Sequence, residues 1–205
     1  TIDYLLVDPY LNPEQPELLI EKPLIMPRSW IALGRLAFPD AHAINPVAPV
    51  KRNGFITFGT ANNPYKYSPE MLQTWARAVA ATPGSRFLFI RPEGGSDAFR
   101  TNLRAIFQAA GVSGDRVLFN AVRAAHMPVY NEVDIALDTF PQTGGTTTCE
   151  AAWMGVPTVS QVGAAIFERL SYSILNNAGL GDLCVSTPEA FVETAVKLAN
   201  DHDRL

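Results

Sequence analysis

Short apolar runs alternate with amphipathic segments through most of this chain. Beyond residue 54, runs rich in β-branched and aromatic residues predict strands over 55–59, 85–92, 116–122, 133–137, 157–162 and 182–186. Apolar residues at helical spacing predict helices over 68–81, 97–110, 147–155 and 166–179, a short helix at 126–131 and a last one from 187 toward 204. Six strands that alternate with helices favour an α/β fold, a doubly wound parallel sheet.

The first 50 residues follow a different pattern. Closely spaced prolines rule out long regular elements there, although the sequence IDYLLVD at 2–8 predicts one short strand. We therefore expect an extended segment that packs on another part of the protein, and we place the boundary near Val50. The chain begins at Thr1 without Met, and the last predicted helix runs close to Leu205, so we expect a piece of a longer chain.

Composition and charge narrow the classes of partner. Hydrophobic residues make up 47% of the 205 residues, which indicates an ordinary globular protein. The net charge of −4 gives no reason to expect nucleic acid or an anionic membrane, and no apolar stretch approaches the ~20 residues that span a bilayer. Cys149 and Cys184 fall in apolar elements far apart in sequence, which favours two buried thiols over a disulfide and a cytoplasmic location.

The stretch from Val133 to Val159 carries the strongest local signal. An apolar run ends at Asp138, a turn with Gly144 and Gly145 follows, and threonines then begin a helix. The first N–H groups of a helix have no partner within it and attract anions, and glycines allow close approach, so this turn predicts a phosphate site. A capping box, in which Thr147 and Glu150 only satisfy each other's backbone donors, is the alternative.

Three loops that follow predicted strands contain polar groups suited to a nucleotide. Because ligands of such sheets bind beyond the carboxyl ends of the strands, the loops after the first, third and fourth strands should meet. Lys66 can neutralise a diphosphate, His126 can stack on a base, and Glu150 can accept hydrogen bonds from a ribose. Each of these has an ordinary structural alternative, a solvated lysine or a helix cap, and only their joint placement favours a nucleoside diphosphate site. The predicted loop residues are Asn62, Asn63, Lys66, Arg123, His126, Gly144, Gly145, Thr146, Thr147 and Glu150.

Three segments of the sequence resemble one family of enzymes. LDTFPQTGGTTTCEAAWMGVPTV, NNPYKYSPEMLQTWARAV and FERLSYSILNNAGLGDLC are similar, in order and spacing, to the carboxyl-terminal half of the O-linked N-acetylglucosamine transferase family, in particular its bacterial SPINDLY-like members with tetratricopeptide repeats. The resemblance implies a GT-B architecture with two Rossmann-like lobes. Residues 51–205 would be the C-terminal, nucleotide-sugar-binding lobe, and residues 1–50 the tail of the N-terminal lobe and the interlobe linker.

The resemblance also implies roles for single residues. Lys66 would contact the diphosphate with Asn63 near the phosphates, and His126 would pack near the uracil. The helix-start threonines, Thr146 and Thr147, would bind phosphate oxygens, and Glu150 would meet the ribose. Animal members have histidine at the place of Gly145 and aspartate at the place of Glu150, and the loop that holds Arg123 is shorter here. These departures bear on which sugar the site prefers more than on which nucleotide it binds.

The family resemblance implies an inverting, metal-independent transfer from a UDP-sugar, UDP-GlcNAc or UDP-Glc, to a protein or peptide, with no further cofactor. Lys66 would stabilise the leaving group, while the family's proposed catalytic histidine belongs to the N-terminal lobe. The isolated chain should then bind UDP and transfer little sugar. Two other classes stay open: a non-enzymatic nucleotide-binding or partner-binding module, and another GT-B enzyme such as a UDP-sugar epimerase.

Overall fold

The predicted alternation of strands and helices is present in the computed structural model, which describes residues 2–13, 15, 17, 19–34, 38, 43–122 and 125–205. No helix among these residues is long and apolar enough to cross a bilayer. In chain order the elements are β1 (Tyr4–Val7), β2 (Lys22–Ile25), α1 (Pro49–Asn53), β3 (Thr57–Thr60), α2 (Pro69–Ala80), β4 (Arg86–Ile90), α3 (Asp97–Ala109), β5 (Val117–Asn120), β6 (Ile135–Leu137), α4 (Thr146–Trp153), β7 (Thr158–Gln161), α5 (Leu170–Asn177), β8 (Cys184–Val185) and α6 (Pro188–Ala199).

Six strands form one sheet in the order β5-β4-β3-β6-β7-β8, and every neighbouring pair is parallel. The chain moves outward from β3 to β5, returns to the centre and then builds the other half from β6. The direction of winding therefore reverses between β3 and β6, where Phe58 pairs with Ile135. In doubly wound sheets the ligand crevice lies at this reversal, beyond the carboxyl ends of the two strands.

Helices cover both faces of the sheet and each face has its own core. Trp75 of α2 and Phe107 of α3 are fully buried against the aromatic rings of β4, and Phe191 of α6 is fully buried in the same cluster. On the opposite face Leu88 and Ala136 pack with residues of α4 and of the short helix before β6. Strands covered on both faces read as continuous apolar runs, which is why the sequence pattern located them.

The described residues of the proline-rich amino-terminal segment contain two short strands rather than one. β1 confirms the predicted strand, whereas β2, which pairs with it in parallel, was not predicted because it contains Pro23. A proline is tolerated at the edge of so small a sheet. The segment is held to α5, because the Nε of Arg169, just before that helix, donates to the carbonyl of Tyr10 at 3.0 Å.

Two predicted helices differ from the structure. The helix expected over 166–179 is divided into a 3₁₀ turn, Ile166–Glu168, and α5, because the Glu168 carboxylate caps the turn through the N–H of Ala165 at 2.8 Å. The last helix begins as predicted, with Thr187 as its N-cap, but it ends at Ala199 instead of continuing toward 204. Asp201 then accepts a hydrogen bond from the N–H of Arg204 and closes a separate turn.

Candidate functional site

Asp138, the residue that ends the apolar run of β6, organises the loops beyond the sheet. It is 1% exposed, and its carboxylate accepts hydrogen bonds from the N–H groups of Thr139 and Gly144, both at 2.8 Å, and from the hydroxyl of Ser160 at 2.7 Å. Burial raises the pKa of Asp138, while the hydrogen bonds that it accepts oppose that rise. One carboxylate therefore fixes the turn of residues 138–145, here called the β6–α4 turn.

Asn62, in the loop after β3, connects that turn to two predicted phosphate ligands. Its Nδ2 donates to the Asp138 carboxylate at 3.1 Å, and its Oδ1 accepts from the hydroxyl of Thr147 at 3.0 Å and from the Lys66 ammonium at 3.5 Å. A carboxylate on one side and an ammonium on the other define the orientation of the amide. The loop after β3 and the start of α4 are thus joined through a single buried side chain.

The Lys66 ammonium points at the β6–α4 turn. Its Nζ donates to the carbonyl of Thr143 at 3.0 Å. Burial lowers the pKa of Lys66, and the charge of Asp138 acts in the opposite direction. Although the two residues are far apart in sequence, the predicted proximity of Lys66 to this turn is therefore present in the structure.

Helix α4 begins with unpartnered backbone donors. Gly145 is its N-cap and no side chain caps it. Among the described residues, no acceptor is bonded to the N–H groups of Thr146 and Thr147. The capping box between Thr147 and Glu150 is not formed, because the Thr147 hydroxyl donates to Asn62 and the Glu150 carboxylate bonds to His126. An anion placed here would meet free N–H groups and the positive end of the helix dipole.

Position 144 must be glycine, because the surrounding atoms leave no room for a Cβ. A Cβ at this position would overlap the hydroxyl of Thr148 and lie 2.9 Å from that of Thr147 and 3.0 Å from the Asp138 carboxylate. Gly145 is much less confined, since among the described residues a Cβ there would meet only the ring of Trp30, at 3.9 Å. The two glycines therefore differ in their roles, which the sequence alone does not distinguish.

His126 and Glu150 bind each other. The Nε2 of His126 lies 2.9 Å from the Glu150 carboxylate, and this hydrogen bond raises the pKa of His126 despite its partial burial. Beside them, the hydroxyl of the buried Tyr130 donates to the carbonyl of Thr147 at 3.3 Å. The sequence predicted a separate role for each of His126 and Glu150, but not the hydrogen bond between them.

The predicted site residues fall into three groups. The first group lies around the start of α4 and consists of Lys66, Gly144, Thr147 and the His126–Glu150 pair. Thr146 belongs to the same group, but its side chain is exposed. The Asn63 side chain is engaged within its own loop, where its Oδ1 caps the 3₁₀ helix Pro64–Lys66 by accepting from the N–H of Tyr65 at 3.4 Å. Arg123 lies outside the described residues.

Asp138, Asn62 and Tyr130 complete the arrangement. The sequence analysis placed Asn62 in the loop after the first strand but gave it no ligand role. For Asp138, the sequence signal was a polar residue at the end of a buried strand.

The thiols of Cys149 and Cys184 are free and partly buried, as expected, and burial raises their pKa to about 11 and about 12. A cavity of about 240 Å³ at the opposite, amino-terminal edge is lined by Asn45 and Asp134 and contains none of the predicted ligands.

The sheet order, the reversal between β3 and β6 and the anion-ready start of α4 define a Rossmann-like lobe, the C-terminal lobe of a GT-B glycosyltransferase. The family model for glycosyl transferase family 41 matches residues 51–205, and the chain belongs to this family.

Relatives support this assignment along the whole chain. The chain is 36% identical over 205 residues to the probable UDP-N-acetylglucosamine–peptide N-acetylglucosaminyltransferase SPINDLY of Petunia hybrida, with 98% of this chain and 22% of that protein covered. It is 28% identical to the probable transferase SEC of Arabidopsis thaliana, with 100% and 22% covered. A mutant O-GlcNAc transferase of Thermobaculum terrenum superimposes with a TM-score of 0.86 at 32% identity, with 97% of this chain and 38% of that structure covered. The chain thus spans well under half the length of these relatives.

Proposed function

We propose that this chain is the UDP-sugar-binding half of the catalytic region of an inverting protein O-glycosyltransferase. One observation supports this most directly: the Lys66 ammonium lies 3.0 Å from the carbonyl of Thr143, in the turn that leads into the free N–H groups of Thr146 and Thr147. A cation and a helix start thereby face one position. The family assignment gives this anion site its chemical context.

The diphosphate is the part of the ligand that this arrangement suits best. Backbone N–H groups and an ammonium donate to phosphate oxygens. They are held before the ligand arrives, because Lys66 donates to the carbonyl of Thr143 and Asn62 accepts from the hydroxyl of Thr147. During transfer the acceptor hydroxyl attacks the anomeric carbon and the sugar–phosphate bond breaks, so negative charge grows on the departing UDP. Preorganised donors stabilise that charge most where it develops.

The nucleoside would extend toward His126 and Glu150. Glu150 is largely buried and acceptor-only when ionised, which suits a ribose diol, and the hydrogen bond from His126 at 2.9 Å holds that carboxylate in one orientation. The exposed part of the His126 ring offers a flat surface to the base. Arg123 and Asn63 are kept as candidate ligands on the family resemblance alone.

The names of the relatives, probable UDP-N-acetylglucosamine–peptide N-acetylglucosaminyltransferases, support a proposal for donor and acceptor. We propose UDP-GlcNAc or UDP-Glc as donor, a protein or peptide as acceptor, and no metal or other cofactor. The parent would be a cytoplasmic bacterial protein that carries tetratricopeptide repeats and whose N-terminal lobe supplies the catalytic groups. The relatives' names favour this proposal over an epimerase or a purely sensory module.

Calorimetry with UDP and uridine tests the proposal. We expect UDP to bind, uridine to bind at least tenfold more weakly because it lacks the diphosphate, and the isolated chain to transfer little sugar to peptides. Heats that are absent for UDP at millimolar concentration would refute the nucleotide site. Equal affinities for UDP and uridine would refute the assignment of Lys66 and α4 to the diphosphate.

A further inference from the structure

Trp30, in the segment that precedes α1, lies against the start of α4. The Cη2 atom of its indole ring is 3.9 Å from the position that a Cβ would take at Gly145, the residue immediately before the free N–H groups of Thr146 and Thr147. No sequence pattern pointed to this residue. It reaches the site from more than a hundred positions away along the chain.

The position of Trp30 is fixed from behind. Its backbone N–H donates to the carboxylate of Asp8 at 2.8 Å, and Asp8 is fully buried and also accepts from the N–H of Leu11 at 2.8 Å. The hydroxyl of Ser173 in α5 donates to the same carboxylate. These hydrogen bonds therefore anchor Trp30 to the same lobe as the candidate site.

The indole N–H of Trp30 is buried and has no acceptor among the described residues. A buried donor without a partner costs about 1–3 kcal/mol, so native proteins rarely leave one without a reason. The indole ring is rigid, so this N–H is carried on the same ring whose Cη2 atom lies 3.9 Å from the Cβ position at Gly145. A ring with an unpaired indole donor thus lies beside a helix start whose first two backbone N–H groups also have no acceptor among the described residues.

We propose that Trp30 is a ligand-binding residue for the nucleotide sugar: its indole N–H donates to an oxygen at the distal end of the bound donor, and its ring forms the wall of the site beside Gly145. The acceptor is either an oxygen of the distal phosphate or an oxygen of the attached sugar. The inference rests on the proposed function and extends it to the segment before α1.

The test compares three chains by calorimetry with UDP and with UDP-N-acetylglucosamine: wild type, Trp30→Phe and Trp153→Phe. Phenylalanine keeps an aromatic ring at position 30 and removes the N–H. Trp153 is a matched control, because it lies at the far end of α4, is 48% exposed and stacks on Phe38. Thermal melting of each variant checks that it folds.

Loss of one hydrogen bond predicts an affinity in Trp30→Phe that is lower by about tenfold or more for a charged phosphate oxygen and by about fivefold for a neutral sugar oxygen, and an unchanged affinity in Trp153→Phe. Weakening of both ligands indicates the phosphate oxygen, and weakening of UDP-N-acetylglucosamine alone indicates the sugar. Equal affinities in all three chains would overturn the role of Trp30 and leave the proposed function standing. A wild-type chain that does not bind UDP would overturn both.

A second measurement needs no substitution at position 30. In the Trp153→Phe chain the remaining indoles are Trp30 and Trp75, and Trp75 is fully buried, so acrylamide quenches the fluorescence of Trp30 selectively. Saturating UDP-N-acetylglucosamine should protect Trp30 from the quencher. Quenching that is the same with and without the nucleotide sugar would contradict direct contact.

Discussion

Replacement of Asn62 by alanine tests whether one buried amide connects the two halves of the candidate site. The substitution removes the donor to the Asp138 carboxylate at 3.1 Å and the acceptor for the Thr147 hydroxyl at 3.0 Å. The contact with Lys66, at 3.5 Å, is at the limit of a hydrogen bond and adds little.

The size of the effect follows from these two bonds. A hydrogen bond to a charged group contributes about 1.5–3 kcal/mol and a neutral one about 0.5–1.5 kcal/mol, so Asn62→Ala should lower the free energy of unfolding by about 3 kcal/mol. For a chain of this length about 2–4 °C of melting temperature is lost per kcal/mol, which predicts a shift of about 6–12 °C.

Asn63→Ala is the matched control, since it changes the same residue type one position along the chain. The Asn63 side chain makes a single 3.4 Å bond to the N–H of Tyr65, and its loss should cost less than about 1 kcal/mol. Thermal and guanidinium unfolding of both variants measure the difference. Equal melting temperatures for Asn62→Ala and Asn63→Ala, or an Asn62→Ala chain as stable as wild type, would refute the connecting role of Asn62.

Two further predictions concern the same loops. Gly144→Ala should lower the melting temperature and weaken UDP binding, because its Cβ would overlap the Thr148 hydroxyl, whereas Gly145→Ala should be tolerated; equal melts for the two variants would contradict this. The pKa of His126 is raised by its bond to Glu150, so the pair stabilises the fold fully below about pH 6.5 and loses that contribution as pH rises through the higher folded pKa. Melting curves from pH 5 upward should therefore show the stability gap between wild type and His126→Gln closing with rising pH, and a gap independent of pH would contradict the pairing.

The fold was largely predictable from sequence, because strands that are covered on both faces have continuous apolar sequences, which a short sequence window is enough to detect. All six strands of the main sheet were located, and the alternation with helices predicted a doubly wound parallel sheet, although not the strand order. β2 was missed because Pro23 argues against a strand, and the end of α6 was misplaced because helix boundaries depend on turn contacts such as that of Asp201.

The candidate site was predictable only in part. Residues with evident chemistry, such as Lys66 and Glu150, were named because charge and position after a strand suggest a ligand role. The roles of Asp138 and Trp30 were not predicted because they depend on tertiary contacts. The buried carboxylate of Asp138 holds a turn, and the ring of Trp30 reaches Gly145 from a distant segment. Sequence spacing does not report such contacts.

The central claim is that Lys66 and the start of α4 bind the diphosphate of a UDP-sugar, and titration of UDP into Lys66→Ala tests it most directly. Lys51→Ala is the control, since Lys51 is an exposed lysine of α1, at the opposite edge of the sheet. The account predicts UDP binding at least tenfold weaker in Lys66→Ala, from loss of one charge-assisted contact, and unchanged in Lys51→Ala. UDP affinities that are equal in wild type, Lys66→Ala and Lys51→Ala would contradict it.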